Sequence, residues 1–468
     1  MTDSAVAETC RLTVRAPSVT IDLAVPADVP VADLLPTLLR YVGEEAEEAG
    51  LDHAGWVLQR LGDAPLDEET TLARAGLADG AVLHLRPHTE ALPEARLDDL
   101  VDGMAETVGR RLHTWHAGAA RGLLVGTAVA TVATALVMVF RPGVTDSAAT
   151  RAACAAVAGV LLLAGAGSAS RAVGDRLSAT ALGLLVAPCF ALVGWVLPGG
   201  DLSGPDASQV AGARLLAAGA AAAGGAVLAL AATAVGAPAL LATAVVAVAT
   251  AVSGALMGYT NLDAAASVAL VATFVALAAG AVAPFAFKLA GMRMPALPSS
   301  AGQLQEGIDP YAGDEVAERT ELAGRWVTAL FAATGTVVAA GLAVLARTPD
   351  LPETLTALAL ALLLLLHARG LVHIGQRLTL AVPGILGLLL LARAWAVDSD
   401  ADGRVVVFAV LLAAAAALVT ASWIVPGRRV LPYWGRAAEL AHTGFAVALL
   451  PLALWVAGLF GWLRGLFG

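Results

Sequence analysis

Residues 288–325 read KLAGMRMPALPSSAGQLQEGIDPYAGDEVAERTELAGR. On either side lie long arrays of Ala, Leu, Val and Gly. The stretch itself is polar: Pro295 and Pro298 come first, then acids mixed with Arg319 and Arg325. It is too long for a turn between two helices and too charged to lie in hydrocarbon. The chain therefore reads as two apolar membrane blocks joined by a polar loop. In a membrane protein a loop of that kind is a place where something else docks.

The composition agrees. Of 468 residues 58% are hydrophobic and 14% charged, against about 25% charged in an average soluble protein, and the mean hydropathy is +0.78. The net charge of −10 is uneven. Residues 1–100 hold 19 acids and 7 bases, a net of −12, and residues 101–468 hold 19 acids and 21 bases, a net of +2. Two bodies of different chemistry meet near residue 100. Lys288 is the one lysine, and it stands between Phe287 and Leu289. A phosphate-cradling loop ends in Gly-Lys-Ser/Thr, so the chain is not itself a P-loop ATPase. Cys10, Cys154 and Cys189 are too few and too scattered for a disulfide framework. Residues 1–16 lack a basic start followed by an apolar core, so no secretory signal peptide is expected there.

Residues 1–92 read as a small soluble domain. Segments 10–16 (CRLTVRA) and 19–25 (VTIDLAV) alternate apolar and polar residues around Pro17-Ser18, which predicts a hairpin. Val31, Leu34, Leu35, Leu38, Leu39 and Val42 share one helical face, with Gly43 as the interruption. Segments 56–61 (WVLQRL) and 81–85 (AVLHL) are further strands, with a short turn or helix over 71–77 between them. Residues 93–121 read as a helical linker, basic at Arg110, Arg111 and Arg121, with Trp115 placed as an interfacial aromatic.

From Gly122 onward eleven apolar runs follow. Six precede the loop: 122–140, 152–169, 177–197, 213–235, 238–257 and 262–287. Five follow it: 326–346, 351–367, 378–397, 405–425 and 437–463. Most approach the roughly 20 residues that cross a bilayer; 351–367 is the shortest, and Pro238 marks the boundary between the fourth and fifth. With the N-terminus inside, inner segments hold 14 Lys/Arg and outer segments 7, which favours that orientation. The loop and the N-terminal domain then share the inner face, and the C-terminus lies outside.

Mid-span positions are almost bare of titratable groups. Asp263, Lys288, His367, His373, Glu439 and His442 all fall near run ends and read as interfacial or snorkelling residues. No proton relay is visible. Asp398, Asp400, Asp402 and Gly403 match the opening of a calcium loop, but Ala409 stands where such a loop needs a bidentate Glu. His367 and His373, six apart, do not share a helical face. Gly254 and Gly258 form a Gly-x-x-x-Gly step, and Gly219/Ala223, Ala220/Gly224 and Ala221/Gly225 are small-x-x-x-small steps; both permit close helix packing. Trp455, Phe460, Trp462 and Phe467 read as an interfacial belt.

The order ββαβ, turn, β, closed by Leu72, Gly76, Leu77, Asp79, Gly80 and Leu83-His84-Leu85, resembles the ubiquitin-like β-grasp fold. It has no free Gly-Gly tail and no lysine, so it reads as a docking module. Such a domain, a linker, six spans (122–287), a long inner loop (288–325) and five spans (326–468) resemble the EccD family, the polytopic membrane subunits of type VII (ESX) secretion systems. The loop carries the most specific likeness. Arg293-Met294-Pro295-x-x-Pro298, then Leu304-Gln305-Glu306 and Ile308-Asp309-Pro310, is similar to the family's R-x-P-x-x-P … L-Q-(E/Q)-D-I-D-P segment, with Gly307 where the pattern has an acid.

The resemblance implies a non-enzymatic scaffold in an inner membrane, without cofactor, metal or nucleic-acid ligand, set among membrane lipids. It also implies a homodimer within a larger complex, and EccB-, EccC- and EccE-like partner subunits, with the ATPase in the EccC-like one. The loop residues just named, Arg293 to Pro310, are the candidate partner-binding residues, and Gly254 and Gly258 the candidate helix-packing ones. Two other classes stay open at this point: a permease with a regulatory ubiquitin-like domain, and a lipid-modifying transferase, for which Asp398–Asp402 is the one acidic motif available.

Overall fold

The computed structural model describes residues 9–42 (except 18 and 27), 55–91 (except 62 and 78), 117–141, 147–292 (except 261), 313–347, 350–424 and 432–467. The chain divides into two compact units, Met1–His116 and Ala117–Gly468.

In the first unit, β1 (Thr9–Arg15) and β2 (Thr20–Pro26) form the hairpin that the alternation predicts, followed by α1 (Val31–Val42), β3 (Trp56–Gln59) and β4 (Ala81–Pro87). The sheet order is β2-β1-β4-β3. β1 runs antiparallel to β2 and parallel to β4, and β3 antiparallel to β4. The central parallel pair flanked by hairpin partners is the β-grasp arrangement. The inward residues of β1 and β4, Leu12, Val14, Leu83 and Leu85, are buried with Val31 and Leu38 of α1, Leu58 of β3 and Leu72. Fully burying each such side chain stabilises the domain by about 1.5–3 kcal/mol.

Asp79 and Gly80 set the register. The Asp79 carboxylate accepts from the Arg11 N–H at 2.8 Å, and the Gly80 N–H donates to the Arg11 carbonyl at 2.8 Å. Gly80 takes φ +83°, which L side chains rarely adopt. Segment 71–77 forms turns rather than a helix, with Leu72 driven into the core. Burial, and then the nearby Asp79 carboxylate, push the Cys10 thiol up from its ordinary range, and its S–H donates to the Leu77 carbonyl at 3.7 Å.

Among the described residues the second unit holds eleven helices long and apolar enough to cross a membrane. They are α2 (Ala117–Val139), α3 (Ala148–Ser168), α4 (Arg176–Val196), α5 (Ala207–Thr233), α6 (Ala237–Thr260), α7 (Ala264–Ala278) continued by α8 (Val282–Leu289), α9 (Gly313–Leu345), α10 (Leu351–Arg369), α11 (Ile374–Asp398), α12 (Ala401–Ile424) and α13 (Pro432–Val456). A short α14 (Leu459–Phe467) ends the chain.

The boundaries differ from the sequence reading in five instructive places. The sixth run breaks into α7, a 3-10 turn at Ala279–Ala281 and α8, because Pro284 lacks the N–H that would close on the Gly280 carbonyl. The eleventh run ends at Val456, where Gly458 at φ +76° redirects the chain into α14. The fourth and fifth runs part at Ala234 (φ +52°) and Gly236 (φ +67°), and α6 restarts at Ala237 with Pro238 in its first turn. Lastly, α9 begins at Gly313, well inside the stretch read as loop, and α2 begins at Ala117 inside the stretch read as linker.

The shortest run, 351–367, forms the complete helix α10, one of the most buried in the bundle. Its Ala357, Leu360, Ala361 and Leu364 join Leu330, Phe331, Val338 and Leu342 of α9, Ala269 and Ala272 of α7, Leu380 of α11 and Leu449 of α13 in the largest core cluster. By contrast α2 buries no residue and α12 buries only Val407. Such helices are stable in lipid because their backbone bonds are closed internally.

Candidate functional site

The proposed partner-binding residues Arg293, Pro295, Pro298, Leu304, Gln305, Glu306, Ile308, Asp309 and Pro310 lie outside the described residues. The structure instead defines the two ends between which that segment runs. On one side α8 closes at Leu289, with Gly291 at φ +72°. On the other, α9 projects three turns of polar helix before its apolar part begins at Trp326. Two i,i+4 charge pairs support this extension as a helix: Arg319 with Glu315, and Arg325 with Glu321 at 2.5 Å. Arg319 also donates to the Gly291 carbonyl at 2.9 Å, clamping the end of α8 to the start of α9. Below the clamp, Trp326 and Ala323 pack on Ala286 and Ala290. The described ends of the 288–325 stretch are thus joined by the Arg319 bond and by the packing of Ala323 and Trp326 on Ala286 and Ala290.

Beside this clamp lies a cleft of about 820 Å³ between the α5–α6 turn, α9 and the start of α11. Ala234, Pro238 and Ala332 form apolar wall, and Thr320, Arg325 and His373 bring polar groups to it. Gln376 bridges α11 to α9 by donating to the Gly324 carbonyl at 3.3 Å. The same end of the bundle carries the other helix-terminal ties. Ser170 donates to the Thr233 carbonyl at 2.5 Å, and Arg171 to the Ala231 carbonyl at 3.2 Å. These bonds satisfy carbonyls that the end of α5 would otherwise leave open.

Asp175 caps α4 by accepting from the Leu177 and Ser178 N–H groups at 3.0 and 3.1 Å. It also receives Arg121 of α2 at 2.5 Å. Arg121 first, with the Ser178 bonds added, holds the Asp175 carboxyl well below the usual carboxylate range. This pair ties the otherwise unburied α2 to the bundle.

Gly254 and Gly258 are not equivalent. A Cβ on Gly254 would lie 2.6 Å from the Gly212 carbonyl oxygen of α5, whereas on Gly258 the nearest atom would be 3.9 Å away. Gly219 meets α6 in the same way, a Cβ there falling 2.6 Å from the Ala247 oxygen. The small residues of α5 and α6 therefore serve contact within one chain.

Other sequence features resolve as local structure. Asp263 caps α7 by accepting from the Ala266 N–H at 2.7 Å. Asp400 caps α12 by accepting from the Gly403 N–H at 2.9 Å, and among the described residues no group of three or more His, Cys, Asp or Glu is arranged to hold a metal ion. His367 does not meet His373. It meets His442 of α13, Nδ1 to Nε2 3.4 Å, with Phe331 edge-on to its ring at 5.3 Å. Periodicity along one helix could not show this pairing, since the two residues are 75 positions apart.

This architecture, a β-grasp unit followed by eleven spans with a clamped connection after the sixth, can be placed among known proteins. Residues 120–466 match the family model of the EccD-like transmembrane domain. The chain belongs to the EccD family. Residues 9–85 separately match YukD, a protein of the WXG100 secretion system, which agrees with the β-grasp topology. The ESX-4 secretion system protein eccD4 of Mycobacterium tuberculosis, in both the CDC 1551 and H37Rv strains, is 29% identical over 476 aligned positions, 97% of each chain. A chain in the structure of protomer 1 of the ESX-3 core complex has the same fold, with TM-score 0.55 and 18% identity over 97% of this chain and 99% of that one. So has a chain of the MycP5-free ESX-5 inner membrane complex, with TM-score 0.57 and 19% identity over 88% and 99%.

Proposed function

We propose that this EccD-family chain holds its partner subunits through the β-grasp domain and through the connection between α8 and α9, while its spans form a lipid-embedded frame. Family membership makes it a multi-pass structural subunit of a type VII secretion inner-membrane complex. The observation that carries this reading is the joint order, a YukD-like domain at 9–85 leading into an EccD-like membrane domain at 120–466 within one chain.

The reading assigns motor work to a separate ATPase, because this chain has no Gly-Lys-Ser/Thr phosphate loop. It assigns no catalysis to this subunit. EccB-, EccC- and EccE-like chains are the partners, and a second copy of this chain is a neighbour in the assembly. The β-grasp domain and the 293–312 connection face the cytoplasm, as the 14 to 7 distribution of Lys/Arg supports.

Purification of the tagged full-length chain from detergent-solubilised membranes tests this. An FtsK-like P-loop ATPase and further membrane subunits are expected to co-purify with it. Recovery of the chain with neither would overturn the reading.

A further inference from the structure

We propose that the groove between β2 and α1 of the β-grasp domain binds an extended, basic-flanked apolar segment of another subunit, which adds to β2 as a fifth strand. This deepens the scaffold reading above and rests on it.

The two edges of the sheet are treated differently. β3 is one edge, and the chain itself covers it: Gln59 bridges Pro65, and the Leu66 N–H donates to the Leu58 carbonyl at 2.8 Å. β2 is the other edge. Among the described residues nothing pairs with its outer side. Soluble proteins blunt exposed edges with short strands, lysines, prolines or bulges. β2 keeps seven residues in unbroken register with β1, has no lysine, and places its proline at the last position, Pro26. An edge left open in this way is a template for strand addition.

A groove runs beside that edge. Its volume is about 240 Å³, and it is lined by residues 21–25 of β2 and by Leu34, Thr37, Leu38 and Tyr41 of α1. The four helix residues follow i, i+3, i+4, i+7 and so lie along one face. Leu34 and Leu38 form a buried floor, and Tyr41 stands 68% exposed at the rim. An added strand would present alternate side chains to this floor while its backbone paired with β2.

Charge decides the class of occupant. Residues 1–100 carry 19 acids against 7 bases. Pairing two copies edge to edge would bring together two bodies of net −12 each, which repel. A segment with Lys or Arg flanking two or three alternating apolar residues is attracted to a domain of this net charge, and Asp22 is an acid on the groove itself.

Amide exchange followed by mass spectrometry tests the proposal on the full-length chain, purified alone and within its co-purified membrane complex. Residues 21–25 are expected to exchange roughly tenfold or more slowly in the complex, with β1 and β4 unchanged. The double substitution Thr37→Arg and Tyr41→Arg should remove that slowing while β1 and β4 keep their protection. Equal β2 exchange in the two wild-type samples overturns the proposal, and that comparison needs no variant. So does slowing that persists in a folded double variant. A photo-crosslinking phenylalanine analogue introduced at Tyr41 identifies the occupant: a Lys/Arg-flanked apolar segment of another subunit supports the proposal, whereas a second copy of this chain or lipid overturns it. A complex that assembles with β2 unprotected removes this inference alone, while a chain that co-purifies with nothing removes the scaffold reading with it.

Discussion

Adding one methyl group at Gly254 (Gly254→Ala) would place a Cβ 2.3 Å from the Leu216 backbone nitrogen, 2.6 Å from the Gly212 carbonyl oxygen and 2.8 Å from the Leu215 carbonyl carbon. Carbon contacts settle near roughly 3.5–4.0 Å, so α5 and α6 would have to part by about 1 Å at this point. All three offending atoms are backbone, so no rotamer change relieves the clash. Overpacking of this kind costs about 1–3 kcal/mol, a Tm decrease of roughly 5 °C for a unit of this size. Two controls share the chemistry without the contact. At Gly258 the nearest atom would be 3.9 Å away, and at Gly224 nothing lies within 4 Å. Gly258→Ala and Gly224→Ala should be neutral, or stabilising by about 0.5–1 kcal/mol because alanine loses less backbone freedom on folding. Thermal unfolding of the purified full-length protein in one detergent, read by intrinsic fluorescence, compares all three. A Gly254→Ala protein melting at or above the wild type, or three variants shifting alike, would refute the assignment of Gly254 to the α5–α6 contact.

Asp175→Asn should loosen α2 from α4, seen as a broadened distance distribution between spin labels on the two helices. Because the folded carboxyl titrates below its unfolded value, its contribution is fully present above the unfolded pKa and is lost as pH falls through the folded one. Wild-type α2 should therefore hold its place at neutral pH and loosen only in acid, below the ordinary carboxylate range. A distribution unchanged from that of the neutral wild type, both in the variant and at acid pH, would remove this role from the Arg121–Asp175 pair. Leu72→Ala, at a fully buried position of the β-grasp core, should cost about 2–5 kcal/mol. Limited proteolysis is then expected to cut residues 9–91 while leaving the membrane unit intact; equal protection of the two proteins would argue against Leu72 as a core residue.

Much of the fold was legible because its signals are local. Strand alternation at 10–16 and 19–25 and the apolar face of 31–42 each arise within a few residues, and the structure places the corresponding elements within two residues of those limits at most ends. Apolar runs likewise showed where spans lie, since length and hydropathy alone decide insertion. Helix ends were less legible. The polar start of α9 reads as loop because hydropathy registers the charges of Glu315, Arg319, Glu321 and Arg325, and is blind to their i,i+4 pairing.

By itself, the sequence determined the class of the protein: a small acidic β-grasp domain, eleven spans, a polar connection after the sixth, and no phosphate loop. These follow from composition, period and order, which are properties of the chain alone. Tertiary structure decided which residues meet. It separated Gly254 from Gly258 within one motif, joined His367 to His442 across 75 positions, and used Arg319 to clamp α8 to α9. It also covered the β3 edge and, among the described residues, left the outer side of β2 unpaired. In a chain where nearly every helix is Ala-, Leu- and Gly-rich, any face could pack on any other, and only the closest backbone approaches and the few polar ties select among them.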